Sequence, residues 1–180
     1  MLQACLNGSR GRDYNPAVPV TPEALARDAA ACMAAGANEF HIHPRSSDGL
    51  ESFAADDIGA ALNAVRAAVP GVPVGISTRE GILGEPAGRQ RAFQAWEDLP
   101  GYVSVNLSEG DAPEVIRLML KRGIGVEAGL ATVADAERYV ALPEAGSCLR
   151  VLIEIDEQES ATALRVAHGI IAVLDRTHSK

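Results

Sequence analysis

The sequence predicts an α/β fold of the (β/α)8 barrel type, with about six βα units in its 180 residues. Short apolar runs typical of buried strands alternate six times with segments whose apolar residues recur at helical spacing, which indicates a parallel sheet with right-handed crossovers. No G-x-G-x-x-G or Walker A sequence follows these runs, as a doubly wound nucleotide-binding sheet would require. Polar residues stand at nearly every strand end, where a barrel has its active site.

Composition limits the domain count and the class of partner. With 47% hydrophobic residues, the chain is predicted to form a single barrel domain over residues 1–180. The net charge of −8 and the lack of a basic cluster argue against nucleic acid and membranes, so we expect a small-molecule ligand. The chain has an odd number of cysteines, Cys5, Cys32 and Cys148, and each lies in an apolar run. We therefore predict reduced thiols in the core and no disulfides. Without a secretory or long apolar segment, the sequence indicates a cytoplasmic location.

The first three units have recognisable boundaries. Thr21, Pro22 and Glu23 are typical of a helix start, because Thr caps, Pro fits the first turn and Glu meets the positive end of the helix dipole. Gly36 ends this helix. The other elements predicted here are strands over 2–6, 39–43 and 72–76, a helix from Ala54 to Val69 with Ile58, Leu62, Val65 and Val69 on its apolar side, and a short helix over 89–96.

The second half continues the alternation of strand and helix. We predict strands over 102–107, 124–127 and 149–155, and helices over 111–123, 132–139 and 160–174. The last helix is expected to direct Leu164, Ile171 and Leu174 towards the core.

Two histidines two residues apart mark the second strand. Side chains at i and i+2 leave the same face of a strand, so His41 and His43 are predicted to point together. Two neutral imidazoles side by side provide half of a typical zinc site, which takes nitrogen ligands and often a carboxylate. The alternative is a polar strand end whose histidines are satisfied by hydrogen bonds.

Other polar residues are predicted at the same edge of the sheet. They are Asn7, Ser77, Thr78, Asn106, Glu127, and Glu154 or Asp156. Each by itself is also compatible with a turn or a cap, but a barrel brings all of these strand ends to one mouth. Together they indicate an active site.

The order and spacing of several motifs resemble the β-keto acid cleavage enzymes. The motifs are Leu6-Asn7-Gly8-Ser9-Arg10, Pro19-Val20-Thr21-Pro22-Glu23, Ala35-Gly36-Ala37 and His41-Ile42-His43-Pro44-Arg45 with Asp48-Gly49. The resemblance is densest over the first fifty residues and continues more weakly through Ser77-Thr78, Val105-Asn106-Leu107 and Val126-Glu127-Ala128-Gly129.

The resemblance implies a zinc-dependent barrel that converts a β-keto acid and acetyl-CoA into acetoacetate and a new acyl-CoA. It implies that His41 and His43 are zinc ligands and that the metal polarises the keto oxygen. It also implies that Ser77, Asn106 and Glu127 line the keto-acid pocket, to which Asn7 contributes from the first strand.

Arg10 is a departure from part of the family. Members that act on an amino-bearing keto acid have an acidic residue just after the first-strand glycine, whereas this chain has Arg10. We therefore expect an uncharged or anionic keto acid, which Arg10 can bind.

A second departure concerns the catalytic carboxylates. A full barrel needs about 250 residues, and the R-x-G-x-E-D motif that supplies the family's third metal ligand and a proton-transfer aspartate does not occur in this sequence. The catalytic residues therefore stay unknown, and the sequence leaves open that the chain is an inactive, incomplete family member.

Two other functions stay open. An H-x-H metallohydrolase of the amidohydrolase type also places paired histidines on a barrel strand, although on the first strand and with further histidines. A non-catalytic barrel remnant is the third possibility. Because an incomplete barrel has unpaired strand edges, we expect a homo-oligomer.

Overall fold

The computed structural model describes residues 1–83 and 85–178. These residues form two compact units that divide between Val103 and Ser104. The single domain over residues 1–180 therefore stays a prediction, and each unit is described by itself. Among the described residues, no helix is long and apolar enough to cross a lipid bilayer.

The strands follow one another in the sheet in chain order, β1-β2-β3-β4-β5-β6. Their bounds are β1 Gln3–Cys5, β2 Glu39–Ile42, β3 Val74–Ser77, β4 Tyr102–Asn106, β5 Gly125–Leu130 and β6 Arg150–Ile153. The pairs β1–β2, β2–β3 and β5–β6 are parallel, and the division between the units falls inside β4. A helix follows each strand, so the six predicted βα units are confirmed.

The first unit contains helices α1 (Pro22–Ala34), α2 (Ala55–Ala68) and α3 (Pro86–Gln94). Thr21 caps α1 as predicted, because its side chain accepts a hydrogen bond from the backbone N–H of Ala24. The predicted apolar side of α2 is confirmed: Ile58, Leu62, Val65 and Val69 are all fully buried.

Tyr102 at the start of β4 ties the strands of the first unit together. Its hydroxyl donates to the carbonyl oxygen of Phe40 in β2 at 2.7 Å and accepts from Gln3 Nε2 in β1 at 2.7 Å. Its ring lies against Gly75 in β3, where an added Cβ would be 2.0 Å from Tyr102 Cε2. The close approach of ring and backbone therefore requires glycine at position 75.

The second unit contains helices α4 (Ala112–Lys121), α5 (Val133–Val140) and α6 (Ser160–His178). Helix α5 begins with a capping box, in which Thr132 accepts from the backbone N–H of Asp135 and Asp135 accepts from that of Thr132. Helices α5 and α6 pack closely, because a Cβ at Gly169 would lie only 2.7 Å from Val133 Cγ2.

The apolar side predicted for the last helix is wrong. Leu164 and Ile171 are exposed and Leu174 is half-buried, whereas the buried side chains over residues 160–176 of α6 are Ile170 and Val173. Apolar residues occur on two sides of this helix, since Ile170 and Ile171 are neighbours about 100° apart. Packing against α5 decides which of the two sides is covered.

Two further predictions need correction. Helix α3 begins at Pro86 and not at Arg89, because proline fits the first helical position, where the missing N–H has no partner to lose. The three cysteines are not joined in disulfides, but the prediction that they lie in the core is wrong: Cys5 is exposed and the other two are half-buried. Cys5 lies in β1, which is at one end of the strand order.

We expect Gly75→Ala to lower the free energy of unfolding of the first unit by about 3 kcal/mol, because the new methyl group must displace the buried Tyr102 ring. Urea unfolding followed by fluorescence of Trp96, the one tryptophan of the chain, measures this. Gly88→Ala is the matched control, since the nearest atom there is the exposed carboxylate of Glu85, which can move. Equal urea midpoints for the two variants would contradict the role of Gly75.

Candidate functional site

The paired histidines face each other at the C-terminal end of β2. His41 lies in β2 and His43 one residue beyond it, and both are buried. Their Nε2 atoms are 3.3 Å apart and the ring planes meet at 72°. The prediction that the two side chains point together is therefore confirmed.

Glu51 and Arg79 extend this pair into a chain of polar contacts. Glu51 Oε1 is 2.5 Å from His43 Nδ1. Glu51 Oε2 accepts from Arg79 Nη2 at 2.7 Å and from Arg79 Nε at 3.2 Å. The Glu51 side chain is only 8% exposed. A buried carboxylate thus lies between an imidazole and a guanidinium.

The contacts of Glu51 decide which nitrogen of His43 carries a proton. Burial by itself raises the pKa of Glu51, but the hydrogen bonds from His43 and Arg79 outweigh it and lower that pKa to about 2. An ionised carboxylate only accepts hydrogen bonds, so His43 Nδ1 must donate. A His43 ring that carries one proton, on Nδ1, has its lone pair on Nε2, the atom that faces His41.

His41 is neutral at physiological pH. Burial, followed by the nearby His43, lowers the pKa of His41 to about 3. Because His43 Nε2 carries a lone pair, His41 Nε2 is the donor in the 3.3 Å contact. Within the part of the chain that the structure describes, the buried His41 Nδ1 has no hydrogen-bond partner.

Asn7 fixes the backbone of His43. Its Oδ1 accepts from the His43 N–H at 2.8 Å, and its Nδ2 donates to the His43 carbonyl oxygen at 2.8 Å and to that of Pro19 at 3.2 Å. The amide of Asn7 therefore joins the loop after β1 to the end of β2. A direct role for Asn7 in substrate binding stays a prediction.

Arg45 organises the loops around the end of β2. This buried guanidinium donates to the carbonyl oxygens of Gly49, Gly8 and Arg10 at 2.8–3.0 Å. Arg10 itself is exposed, with its guanidinium carbon 4.2 Å from the centre of the Tyr14 ring. Arg10, Arg45 and Tyr14 line an open cavity of about 740 Å³. Arg10 thus presents its charge to a space of ligand size.

Ser77 is the last residue of β3 and Thr78 follows it, at the strand end as predicted, and both are buried. Ser77 Oγ accepts from the backbone N–H of Arg79 at 3.3 Å. This contact shapes the turn that directs Arg79 to Glu51.

The second unit contains its own group of polar strand-end residues. Glu127 in β5 is fully buried, and its Oε1 accepts from Nε of Arg150, the residue opposite it in β6, at 2.6 Å. A Cβ at Gly129 would lie 2.8 Å from Asn106 Oδ1 and 3.5 Å from Glu154 Oε2, so this glycine lets both side chains approach β5. Burial, and then Glu127 and Asp156, raise the pKa of Glu154.

The histidine pair meets one geometric requirement of a metal site. Two nitrogens that bind one tetrahedral zinc ion at about 2.0–2.1 Å lie about 3.3–3.4 Å apart, and the two Nε2 atoms are 3.3 Å apart. Glu51 on the far nitrogen of His43 matches the usual carboxylate–histidine arrangement. Among the described residues, no group of three or more His, Cys, Asp or Glu side chains could hold a metal ion. The described residues could therefore supply two metal ligands, His41 and His43.

Sequence reasoning missed Glu51 and Arg79. Arg79 directly follows the predicted pair Ser77-Thr78, so its position after a strand was a usable signal. Glu51 follows the turn at Asp48-Gly49 and is brought back beside Arg45 by an isolated antiparallel bridge. The sequence pattern around Glu51 contains no periodic signal for that return.

Comparisons with known proteins identify the family. The family model of the beta-keto acid cleavage enzymes matches residues 1–147. The 3-keto-5-aminohexanoate cleavage enzyme of Fusobacterium nucleatum is 36% identical over 67 residues, which are 37% of this chain and 25% of that enzyme. The 3-oxoadipate:acetyl-CoA acetyltransferase of Cupriavidus necator is 35% identical over 95 residues, 51% of this chain and 31% of that protein. The chain thus spans about a third or less of these relatives.

Solved structures show the same fold. The ternary complex of ObcA with a C4-CoA adduct and oxalate has a TM-score of 0.57 at 19% identity, over 71% of this chain and 34% of that one. The 3-dehydroquinate dehydratase of Aquifex aeolicus has a TM-score of 0.53 at 14% identity, over 94% and 76%. The predicted fold class, a barrel type with six βα units, is confirmed. Since the family model covers residues 1–147 of 180, the chain belongs to the beta-keto acid cleavage enzyme family.

Proposed function

We propose that this protein is a zinc-dependent acyltransferase that converts a β-keto acid and acetyl-CoA into acetoacetate and a new acyl-CoA. The observation that carries the proposal is the pair of imidazoles whose Nε2 atoms are 3.3 Å apart at the end of β2. The activities for which the two relatives are named, keto-acid cleavage and acetyl-CoA acetyl transfer, support the reaction class. The CoA adduct bound by ObcA supports a CoA thioester as co-substrate.

His41 and His43 would hold the zinc ion through their Nε2 atoms. When bound, zinc supplies a Lewis acid that polarises the keto oxygen of the substrate. His41 is neutral at pH 7, as ligation requires, and Asn7 and Glu51 hold His43 by its backbone and its ring. The chain itself therefore positions one of the two metal ligands, His43, through both its backbone and its ring.

The remaining site residues bind and orient substrate in this proposal. In the first unit, Arg10 can pair with a carboxylate, and Ser77 supplies a hydroxyl at the end of β3. In the second unit, Asn106 supplies an amide donor, and Glu127 orients Arg150 through its 2.6 Å contact. We assign no general base among these residues, so the catalytic residues stay unknown.

A reducing compartment, the cytoplasm, is part of the same proposal, because the three cysteines are not joined in disulfides and one of them is exposed. Self-association also stays a prediction. It is supported by the terminal positions of β1 and β6 in the strand order and by exposed Leu149 and Leu164.

The reaction can be tested directly with a panel of β-keto acids. We expect loss of the keto acid and formation of acetoacetate only when acetyl-CoA is present, with faster turnover after zinc is added. The double variant His41→Ala/His43→Ala should lose the zinc-dependent part. Zinc-dependent hydrolysis of amides or esters without acetyl-CoA would indicate a metallohydrolase instead. If the protein consumes neither the β-keto acids nor the amides and esters, it is a non-catalytic module.

Zinc binding provides a second test, independent of turnover. We expect His41→Ala and His43→Ala each to weaken zinc binding by more than the roughly 10–100-fold that loss of an outer partner costs. Wild-type zinc affinity itself should be lower than in a relative that has the R-x-G-x-E-D glutamate. Competition against a chromogenic chelator measures these affinities. The matched control is His168→Ala, because His168 is exposed. If both site variants bind zinc like this control, the proposed metal site is wrong.

Arg10 should select for acidic keto acids. We expect Arg10→Ala to lower the ratio of activity on an anionic keto acid to that on an amino-bearing one by about tenfold, because a charged hydrogen bond to the carboxylate is lost. Initial rates at subsaturating substrate give this ratio. Arg27→Ala is the control, since Arg27 is an exposed arginine of α1 outside the cavity lining that includes Arg10. An unchanged ratio in Arg10→Ala would remove this role.

A further inference from the structure

We infer that Glu51, held in place by Arg79, is the positioning residue that fixes the tautomer and the ring orientation of His43. The consequence for metal binding rests on the proposed function, whereas the consequence for the tautomer does not. Glu51 acts through His43, because its Oε1 contacts Nδ1, the ring nitrogen that faces away from His41.

The geometry of Glu51 permits one arrangement of the His43 ring. Arg79 occupies Oε2 with two donors, Nη2 at 2.7 Å and Nε at 3.2 Å, and reaches Oε1 only weakly at 3.4 Å. Oε1 is therefore directed at His43 Nδ1, 2.5 Å away. The Glu51 side chain is 8% exposed, so water has little access to replace either contact. The arginine thus determines which oxygen the imidazole meets.

Two separate contacts restrict His43. Asn7 holds its backbone through a donor and an acceptor, and Glu51 holds its ring through Nδ1. The backbone contact fixes where the side chain starts, but rotation about the side-chain bonds and the choice of tautomer are left to Glu51. A residue that only stabilised the fold would have no effect on the tautomer.

His41 has no comparable partner on the far side of its ring. Among the described residues, none makes a hydrogen bond with the buried His41 Nδ1. In the absence of metal, His41 Nε2 donates to His43 Nε2, and ligation requires the proton on His41 to be on Nδ1 instead. Preorganisation of the pair therefore depends on His43, and so on Glu51.

The test uses the full chain and two readouts. Long-range 1H–15N correlation spectra of the metal-free protein report which ring nitrogen of His43 is protonated, and chelator competition reports zinc affinity. The variants are Glu51→Ala, the conservative Glu51→Asp, and Arg79→Gln. Glu85→Ala is the matched control, because Glu85 also accepts from an arginine at 2.7 Å, but in an exposed pair with Arg91.

We expect wild-type His43 to be protonated at Nδ1 and Glu51→Ala to populate the Nε2-protonated form. Zinc affinity should fall about 10–100-fold in Glu51→Ala, less in Arg79→Gln, and by under twofold in Glu85→Ala. Glu51→Asp should restore part of the Nδ1-protonated population, which a packing role for the side chain would not produce. Circular dichroism verifies that each variant is folded, and Arg79→Gln provides the tautomer readout if Glu51→Ala does not fold.

The two readouts separate this inference from the proposed function. If the wild type binds no zinc but the tautomer of His43 changes in Glu51→Ala, the positioning role is supported and the metal proposal is wrong. If zinc binding needs His41 and His43 but both readouts are unchanged in Glu51→Ala, the positioning role is overturned and the metal proposal stands. An Nε2-protonated His43 in the wild type would also overturn the positioning role of Glu51.

Discussion

The arrangement at the end of β2 depends on the cost of burying polar side chains. His41 and His43 lie in a buried strand end, and unpartnered polar groups there would cost several kcal/mol in total, roughly 1–3 each. The surrounding chain supplies contacts from three directions: Asn7 after β1 holds the His43 backbone, Glu51 after the turn contacts the His43 ring, and Arg79 after β3 holds Glu51. Side chains from three loops therefore hold His43, whereas His41 Nδ1 has no hydrogen-bond partner among the described residues.

Arginines connect strand ends to loops in both units. In the first unit, Arg45 donates to three carbonyl oxygens of two loops. In the second unit, Arg138 of α5 donates to those of Leu107, Glu109 and Gly110 after β4. A guanidinium suits this role because it offers five donors in a fixed plane and stays charged. In each unit, one arginine thus joins a loop to an element of the same unit.

The electrostatic state of the first-unit site suits the chemistry proposed for it. Burial keeps His41 neutral, the hydrogen bonds to Glu51 keep that carboxylate ionised, and both effects leave a ring nitrogen available to a cation. The cation that balances Glu51 in the protein is Arg79, so a bound metal ion would not have to neutralise this carboxylate. The charge of Arg10 remains directed to the open cavity.

The sequence by itself determined the elements whose signals are local. The cap at Thr21, the buried side of α2, the common direction of His41 and His43, and the βα order follow from spacing and residue type, and all are present. Tertiary structure alone decided what depends on contacts distant in sequence. Packing against α5 chose between the two apolar sides of α6, the edge position of β1 exposed Cys5, and the return of the chain after Gly49 brought Glu51 to His43. Periodicity fixes the face of a helix or strand but contains no information about which neighbour will cover that face.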